Sequence, residues 1–208
     1  MKKVIMLLAV CAFGSANAQV SFKPGVKAGY ISSTITGYGA DYRNSFYLGA
    51  YGNLALGKVY NMQFELMYLR QGADNLAFVT TDYNQPNYPT IVRRTDVPLD
   101  YISLNLINKF NFDKFNLHIG PGLDVRVSEE KLPDYVVGDY YDSKPYSVDN
   151  EVDLTFNIGL GYNITDNFGI EVRMRQGIIE PIYANSSSYS SSSHLNRSYM
   201  VGATYTFK

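Results

Sequence analysis

The chain has 208 residues, of which 46% are hydrophobic, 18% charged and 14% aromatic, with 19 Tyr and no Trp. That balance excludes a disordered chain, and a formal net charge of -1 gives nucleic acid no basic surface to bind. The single cysteine, Cys11, excludes a disulfide framework and a cysteine-based metal site, and the absence of a long apolar run after the N-terminus excludes a multi-helix membrane protein.

Residues 1–18 read as a cleaved secretory signal. Lys2 and Lys3 form the positive end, Val4 to Phe13 a short apolar stretch, and Ala16-Asn17-Ala18 a small-x-small cleavage site before Gln19. Cleavage removes Cys11, so the mature domain, 19–208, has no cysteine and suits an oxidising compartment outside the inner membrane.

The mature chain alternates with period two, as strands do, because successive side chains point to opposite faces. In the first segment Phe22, Pro24, Val26, Ala28 and Tyr30 share a face opposite Lys23, Gly25, Lys27 and Gly29. In the second, Phe46, Leu48, Ala50 and Leu54 lie opposite Tyr47, Tyr51 and Asn53; in the third, Met62, Phe64, Leu66 and Tyr68 lie opposite Gln63, Glu65 and Gln71. In the fourth, Ile102, Leu104, Leu106 and Phe110 lie opposite Ser103, Asn105 and Lys109. The next three are cleaner. Leu117, Ile119, Leu123 and Val125 alternate with His118, Gly120, Asp124 and Arg126. Val152, Leu154, Phe156 and Ile158 alternate with Glu151, Asp153, Thr155 and Asn157. Phe168, Ile170, Val172 and Met174 alternate with Gly169, Glu171, Arg173 and Arg175. The last puts Tyr199, Val201, Ala203, Tyr205 and Phe207 opposite Ser198, Gly202, Thr204 and Thr206. Helical spacing produces none of this.

Eight strands of about ten residues match a bilayer crossed at a tilt. The connections alternate as well. Residues 31–45, 72–98, 128–150 and 177–196 are long; 55–61, 111–114 and 163–167 are short. Long extracellular loops and short periplasmic turns are the pattern of an eight-stranded antiparallel up-and-down transmembrane β-barrel in the cell outer membrane.

A soluble lipocalin-like ligand-binding barrel is the competing reading. Two features oppose it. Aromatics flank the apolar faces at two levels, Phe22, Phe110, Phe115, Tyr162, Phe168, Tyr205 and Phe207 below and Tyr30, Phe46, Tyr68 and Tyr199 above, as membrane interfaces favour. The polar faces also carry many strand-centre glycines, which weaken an ordinary solvated strand but leave room inside a narrow barrel. Gly25 and Gly29 would then lie under Tyr51 and Tyr47. The ionic faces line the axis: Lys23, Lys27, Lys109, Arg126, Arg173, Arg175 and Arg197 against Glu65, Asp124, Glu151, Asp153 and Glu171. In so narrow a barrel these charges need partners. Arg126 with Glu151 or Asp153, and Glu171 with Arg173 or Arg175, are the expected pairs. The network serves as a structural plug or as a narrow porin-like conduit for small solutes.

The segments Phe64 to Gly72, Gly120-Pro121-Gly122, Asn157 to Tyr162 and Glu171 to Ile178 resemble the PorT-like outer-membrane β-barrel family, often labelled "porin family". The resemblance covers the mature chain and implies a barrel with no assigned activity; no motif carries over the secretion role that gives the family its name. The end of the chain resembles the β-signal read by the barrel-assembly machinery, with Gly202, Tyr205 and Phe207 in the matching positions and Lys208 departing from a terminal aromatic. The likeness to two-domain OmpA-type proteins stops at the barrel.

Chemistry is sparse. His118 faces inward near a periplasmic turn, whereas His194 lies in the last outer loop beside Ser191, Ser192 and Ser193, so the two cannot share a hydrolytic site. A serine tract between strands reads as solvated loop. Asp134, Asp139, Asp142 and Asp149 read as an acidic loop rather than a Ca²⁺ site. No catalysis, metal or cofactor is expected. The expected partners are the assembly machinery, outer-membrane lipid including lipopolysaccharide (with Arg70 at the upper rim near a lipid phosphate) and a surface partner at the tyrosine-rich loops. Those loops hold Tyr83, Tyr88, Tyr135, Tyr140, Tyr141, Tyr146, Tyr183 and Tyr189, which either pack together or offer contact area.

Overall fold

The structure, a computed structural model, describes residues 21–37, 39–81, 86–87, 89–128, 146–147, 150–181, 183–184 and 194–207. The signal segment, Lys208, Tyr83, Tyr88, Tyr135, Tyr140, Tyr141, Tyr189, the four loop aspartates and Ser191 to Ser193 lie outside the described residues.

The strands run in order β1 (Ser21–Ile35), β2 (Asp41–Ala55), β3 (Tyr60–Thr81), β4 (Thr90–Phe112), β5 (Phe115–Arg126), β6 (Tyr146–Ser147), β7 (Val152–Asn163), β8 (Phe168–Gly177), β9 (Tyr183–Ala184) and β10 (Asn196–Thr206). Eight close into an antiparallel barrel in the order β1-β10-β8-β7-β5-β4-β3-β2, and the two-residue strands β6 and β9 pair apart from it. Each barrel strand meets its sequence neighbour, and β10 closes on β1. This is the expected up-and-down ring, with no open edge within the barrel wall.

Paired residues lead around the wall from Phe22 through Leu54, Met62, Asn108, Ile119, Ile158, Met174 and Tyr199 back to β1 at Ser32. The return is ten residues further along β1, a stagger that tilts the strands by about 40°. One end holds the short turns. Asp113, with φ 56°, and Lys114 make a two-residue turn between β4 and β5. Thr165 Oγ1 accepts hydrogen bonds from the Asn167 and Phe168 amides in the turn between β7 and β8.

The expected long loop over residues 72–98 is largely strand. β3 and β4 are 22 and 23 residues long and continue to pair as far as Thr81 with Thr90. Beyond Asp74, the last partner of β2, they rise as a two-stranded ribbon. Its residues are rich in β-branched and aromatic types, including Phe78, Val79, Thr80, Thr81, Ile91 and Val92. The alternation is concealed by a register shift between Ala73 and Leu76, where Gly72 (φ 119°) and Asn75 (φ 53°) adopt left-handed backbone. A Cβ at Gly72 would collide with the Val97 carbonyl, so the kink requires glycine. The first outer connection is also shorter than expected, since β1 runs to Ile35 and β2 resumes at Asp41.

The faces are oriented as an inverted barrel. Leu66, Leu104, Leu154, Phe156, Leu160 and Val172 are exposed on the outside, while Lys27, Glu65, Asp153 and Arg173 are buried within. Water would penalise such an outer surface; hydrocarbon does not. Rings mark both rims. Phe115 meets Tyr162 at 4.9 Å and Tyr205 meets Phe207 at 5.4 Å below; Phe46 meets Tyr68 at 6.4 Å and Tyr42 meets Tyr199 at 6.1 Å above.

Candidate functional site

The barrel interior is stacked in three zones. Nearest the periplasmic turns, alternation brings Lys27 of β1, Glu65 of β3 and Glu171 and Arg173 of β8 to one level. Lys27 Nζ lies 2.8 Å from Glu65 Oε1 and 2.7 Å from Glu171 Oε1. Arg173 donates from Nη1 and Nη2 to both oxygens of Glu65, at 2.6 and 2.9 Å, and reaches Glu171 at 3.5 Å. Gln63 Nε2 also donates to Glu65 at 2.7 Å. Two cations and two carboxylates thus neutralise each other where water is excluded, and the forked guanidinium fixes the geometry.

The middle zone is centred on Arg175. Its guanidinium donates to Asp124 at 2.7 Å, Ser103 Oγ at 2.9 Å, Asn157 Oδ1 at 2.9 Å and Thr155 Oγ1 at 3.2 Å. Ser103 Oγ donates to Asp124 at 2.6 Å. Gly122 makes room here: a Cβ would run into the Asn105 and Thr155 side chains.

The extracellular zone is mixed: buried Ser33, Gln71, Asp153, Asn196 and Ser198 lie beside an apolar cluster that the expectation of ionic faces lining the axis did not include. Ile31, Tyr47, Met67, Leu69 and Met200 form one buried cluster. Leu99, Tyr101, Val97 and Leu76 are buried in the wall and ribbon of the same half. The signal was available. Met67 and Leu69 follow Glu65 by two and four residues, and Ile31 follows Lys27 by four, so each shares the inward parity of its ion.

Other expected members of the network sit elsewhere. Lys23 has inward parity but emerges exposed at the periplasmic rim, and Glu151 is exposed at the opposite rim. Arg126 is half-buried; its backbone amide donates to the Glu151 carbonyl. The pairing expected between Arg126 and Asp153 does not account for that carboxylate. Asp153 accepts the amides of Ile178 and Ile179 and the Asn196 side chain, clasping the start of the last outer connection. Glu171 joins Arg173 only weakly, and Arg175 turns to Asp124 instead. Arg197 points outward with Tyr199 and donates to Gln176 at 2.8 Å, because its parity is that of the lipid face. Lys109 is half-buried at the periplasmic mouth.

Tyrosines strap the closing seam. Tyr51 on β2 crosses Gly25 and bonds Thr206 on β10 at 2.7 Å, and Tyr47 crosses Gly29 to reach Gly202. Gly202 pairs with Gly29, while Tyr205 and Phe207 are exposed at the lower rim. At the upper rim Arg70 stacks 5.7 Å over Phe46, and Tyr68 donates to Asp100 at 2.6 Å.

Among the described residues the two histidines lie far apart. His118 bonds Asn116, and His194 lies at the other end, where its amide donates to Glu180. Among the described residues no group of three His, Cys, Asp or Glu side chains is placed to hold a metal.

A ring of eight antiparallel strands with lipid-facing apolar residues is the architecture of small outer-membrane barrels. The chain belongs to the outer membrane protein beta-barrel domain family, whose sequence model matches residues 4–207, and it is an outer-membrane protein. No curated protein matches it significantly. Solved structures with a similar chain trace include Ail, the attachment invasion locus protein of Yersinia pestis, at 14% identity and a TM-score of 0.47 over 89% of this chain and 98% of that one. Neisserial surface protein A (NspA) is similar at 14% identity and a TM-score of 0.47, over 90% and 99%. OprG from Pseudomonas aeruginosa is similar at 12% identity and a TM-score of 0.43, over 91% and 98%.

Proposed function

We propose that this protein is a closed, non-catalytic outer-membrane barrel with a structural or surface-interaction role, exported by residues 1–18 and inserted through its last strand. The observation that carries the reading is the double closure of the interior. Paired ions fill its lower two zones, and the Ile31–Tyr47–Met67–Leu69–Met200 cluster packs in the upper one beside hydrogen-bonded Ser33, Gln71 and Asn196. An ion crossing the barrel would have to break buried ion pairs and then pass an apolar constriction. The parts free to act are extracellular: the β3–β4 ribbon and the outer connections, where the tyrosine-rich segments supply contact area for a surface partner. The segments Phe64 to Gly72 and Glu171 to Ile178 support PorT-like membership within the family. Arg70, at the outer rim, supports contact with lipopolysaccharide phosphate.

Planar-bilayer recording tests this directly. The purified protein is expected to give no single-channel steps; discrete steps that persist across preparations would establish the narrow conduit instead. His194→Ala is expected to leave any hydrolytic background unchanged, and loss of a measured activity would overturn the non-catalytic reading.

A further inference from the structure

The outer wall carries a diagonal apolar groove between two rows of paired residues. Leu117, Leu160, Val172, Val201 and Tyr30 form the lower row, and Ile158, Met174, Tyr199 and Ser32 the upper one. With strands about 4.8 Å apart, the lower row spans about 19 Å from β5 to β1. The stagger of the wall makes both rows climb towards the extracellular end in that direction. That length exceeds one leaflet of a hydrocarbon core about 30 Å thick.

The next outward row holds Phe156, Gln176, Arg197 and Thr34. Arg197 stands two residues beyond Tyr199 of the upper aromatic girdle, at headgroup level. Gln176 fixes it in place. Its Nε2 donates to the carbonyls of Gly177 and Asn196 at 3.1 and 3.2 Å, and its Oε1 accepts from Arg197 Nε at 2.8 Å. The Nη1 and Nη2 edge of the guanidinium is then left open, with no hydrogen-bond acceptor among the described residues. No carboxylate stands in any of the three rows, and Arg197 forms no ion pair among the described residues. Arg70, by contrast, shares its charge with Asp100.

We propose that this wall binds one phosphorylated acyl glycolipid, the membrane portion of lipopolysaccharide. Its phosphate sits on the open edge of Arg197 and one acyl chain lies in the groove. A guanidinium fork matches two phosphate oxygens, and the pairing is strong where water is scarce. The apolar groove continuous with that head selects a lipid over a free phosphate. Its extracellular height selects the leaflet that holds lipopolysaccharide over the one that holds glycerophospholipid. The site rests on the reading that lipopolysaccharide contacts the barrel, and gives that contact a place apart from Arg70.

The test is a titration of the isotope-labelled protein in zwitterionic micelles with purified lipopolysaccharide, following the Arg197 Nε signal and the amides of Tyr199 and Val201. Saturable shifts are expected at all three in the wild type. Lipopolysaccharide stripped of its phosphates should lose the Arg197 shift, and phosphatidylglycerol should bind more weakly. Arg197→Gln should weaken binding about tenfold or more, and Arg197→Lys and Gln176→Ala by less, while Arg70→Gln leaves the Arg197 response unchanged. Heat-modifiable mobility confirms that each variant is folded. Absence of saturation in the wild type overturns both this site and the wider contact with lipopolysaccharide. Saturation with unchanged affinity in folded Arg197→Gln, loss of the response in Arg70→Gln, or an equal response to the dephosphorylated lipid or to phosphatidylglycerol overturns this site alone.

Discussion

At the scale of single residues, the interior charges hold one another, so removing one partner is costly. Arg173→Ala leaves Glu65 buried beside only Lys27 and Gln63, and should destabilise the barrel by about 3–5 kcal/mol. Guanidinium unfolding in micelles measures this, and a loss below about 1 kcal/mol would mean that water solvates the cluster. The seam makes an opposite pair of predictions. Gly29→Val inserts atoms where the Tyr47 ring and the Val201 carbonyl already sit, and should cost about 1–3 kcal/mol or prevent closure. Tyr47→Phe removes only a buried hydroxyl that has no hydrogen-bond partner, so stability should hold or rise. A loss on Tyr47→Phe as large as that on Gly29→Val would show that the strap works through its hydroxyl rather than its ring.

At the scale of elements, alternation made most of the barrel legible. The β5, β7 and β8 segments alternate without interruption, and their apolar and polar faces emerged on the expected sides. The ribbon was not legible for a local reason. The shift at Ala73 to Leu76 reverses the relation between position and face, so a single period cannot be read through it. The interior ions were found by parity, but their pairing was not, because Lys27 and Glu171 are 144 positions apart and meet only through the stagger of the closed wall. The apolar cluster of the upper zone was not legible because inward hydrophobes follow ions on one strand, as Met67 and Leu69 follow Glu65. The ribbon rises beyond the β2 and β5 pairings, so the ring should not depend on it. Replacing residues 76–95 by a short turn should leave heat-modifiable mobility intact; a variant that no longer shifts on boiling would make the ribbon part of the folding core.

At the scale of the whole molecule, one inversion organises everything: hydrocarbon outside, ions and a greasy stopper inside. It explains why a chain with 46% hydrophobic residues buries lysine and arginine yet exposes leucine and phenylalanine. It also explains why glycine recurs on the inner face, where large side chains from opposite walls share a narrow bore. The most direct measurement is paramagnetic broadening by a lipid-borne nitroxide in nanodiscs, read residue by residue along β7 and β8. Leu154, Phe156, Leu160 and Val172 should broaden strongly while Asn157, Gly159 and Arg173 stay sharp. Equal broadening of both sets, or broadening of the second set alone, would contradict the inverted barrel.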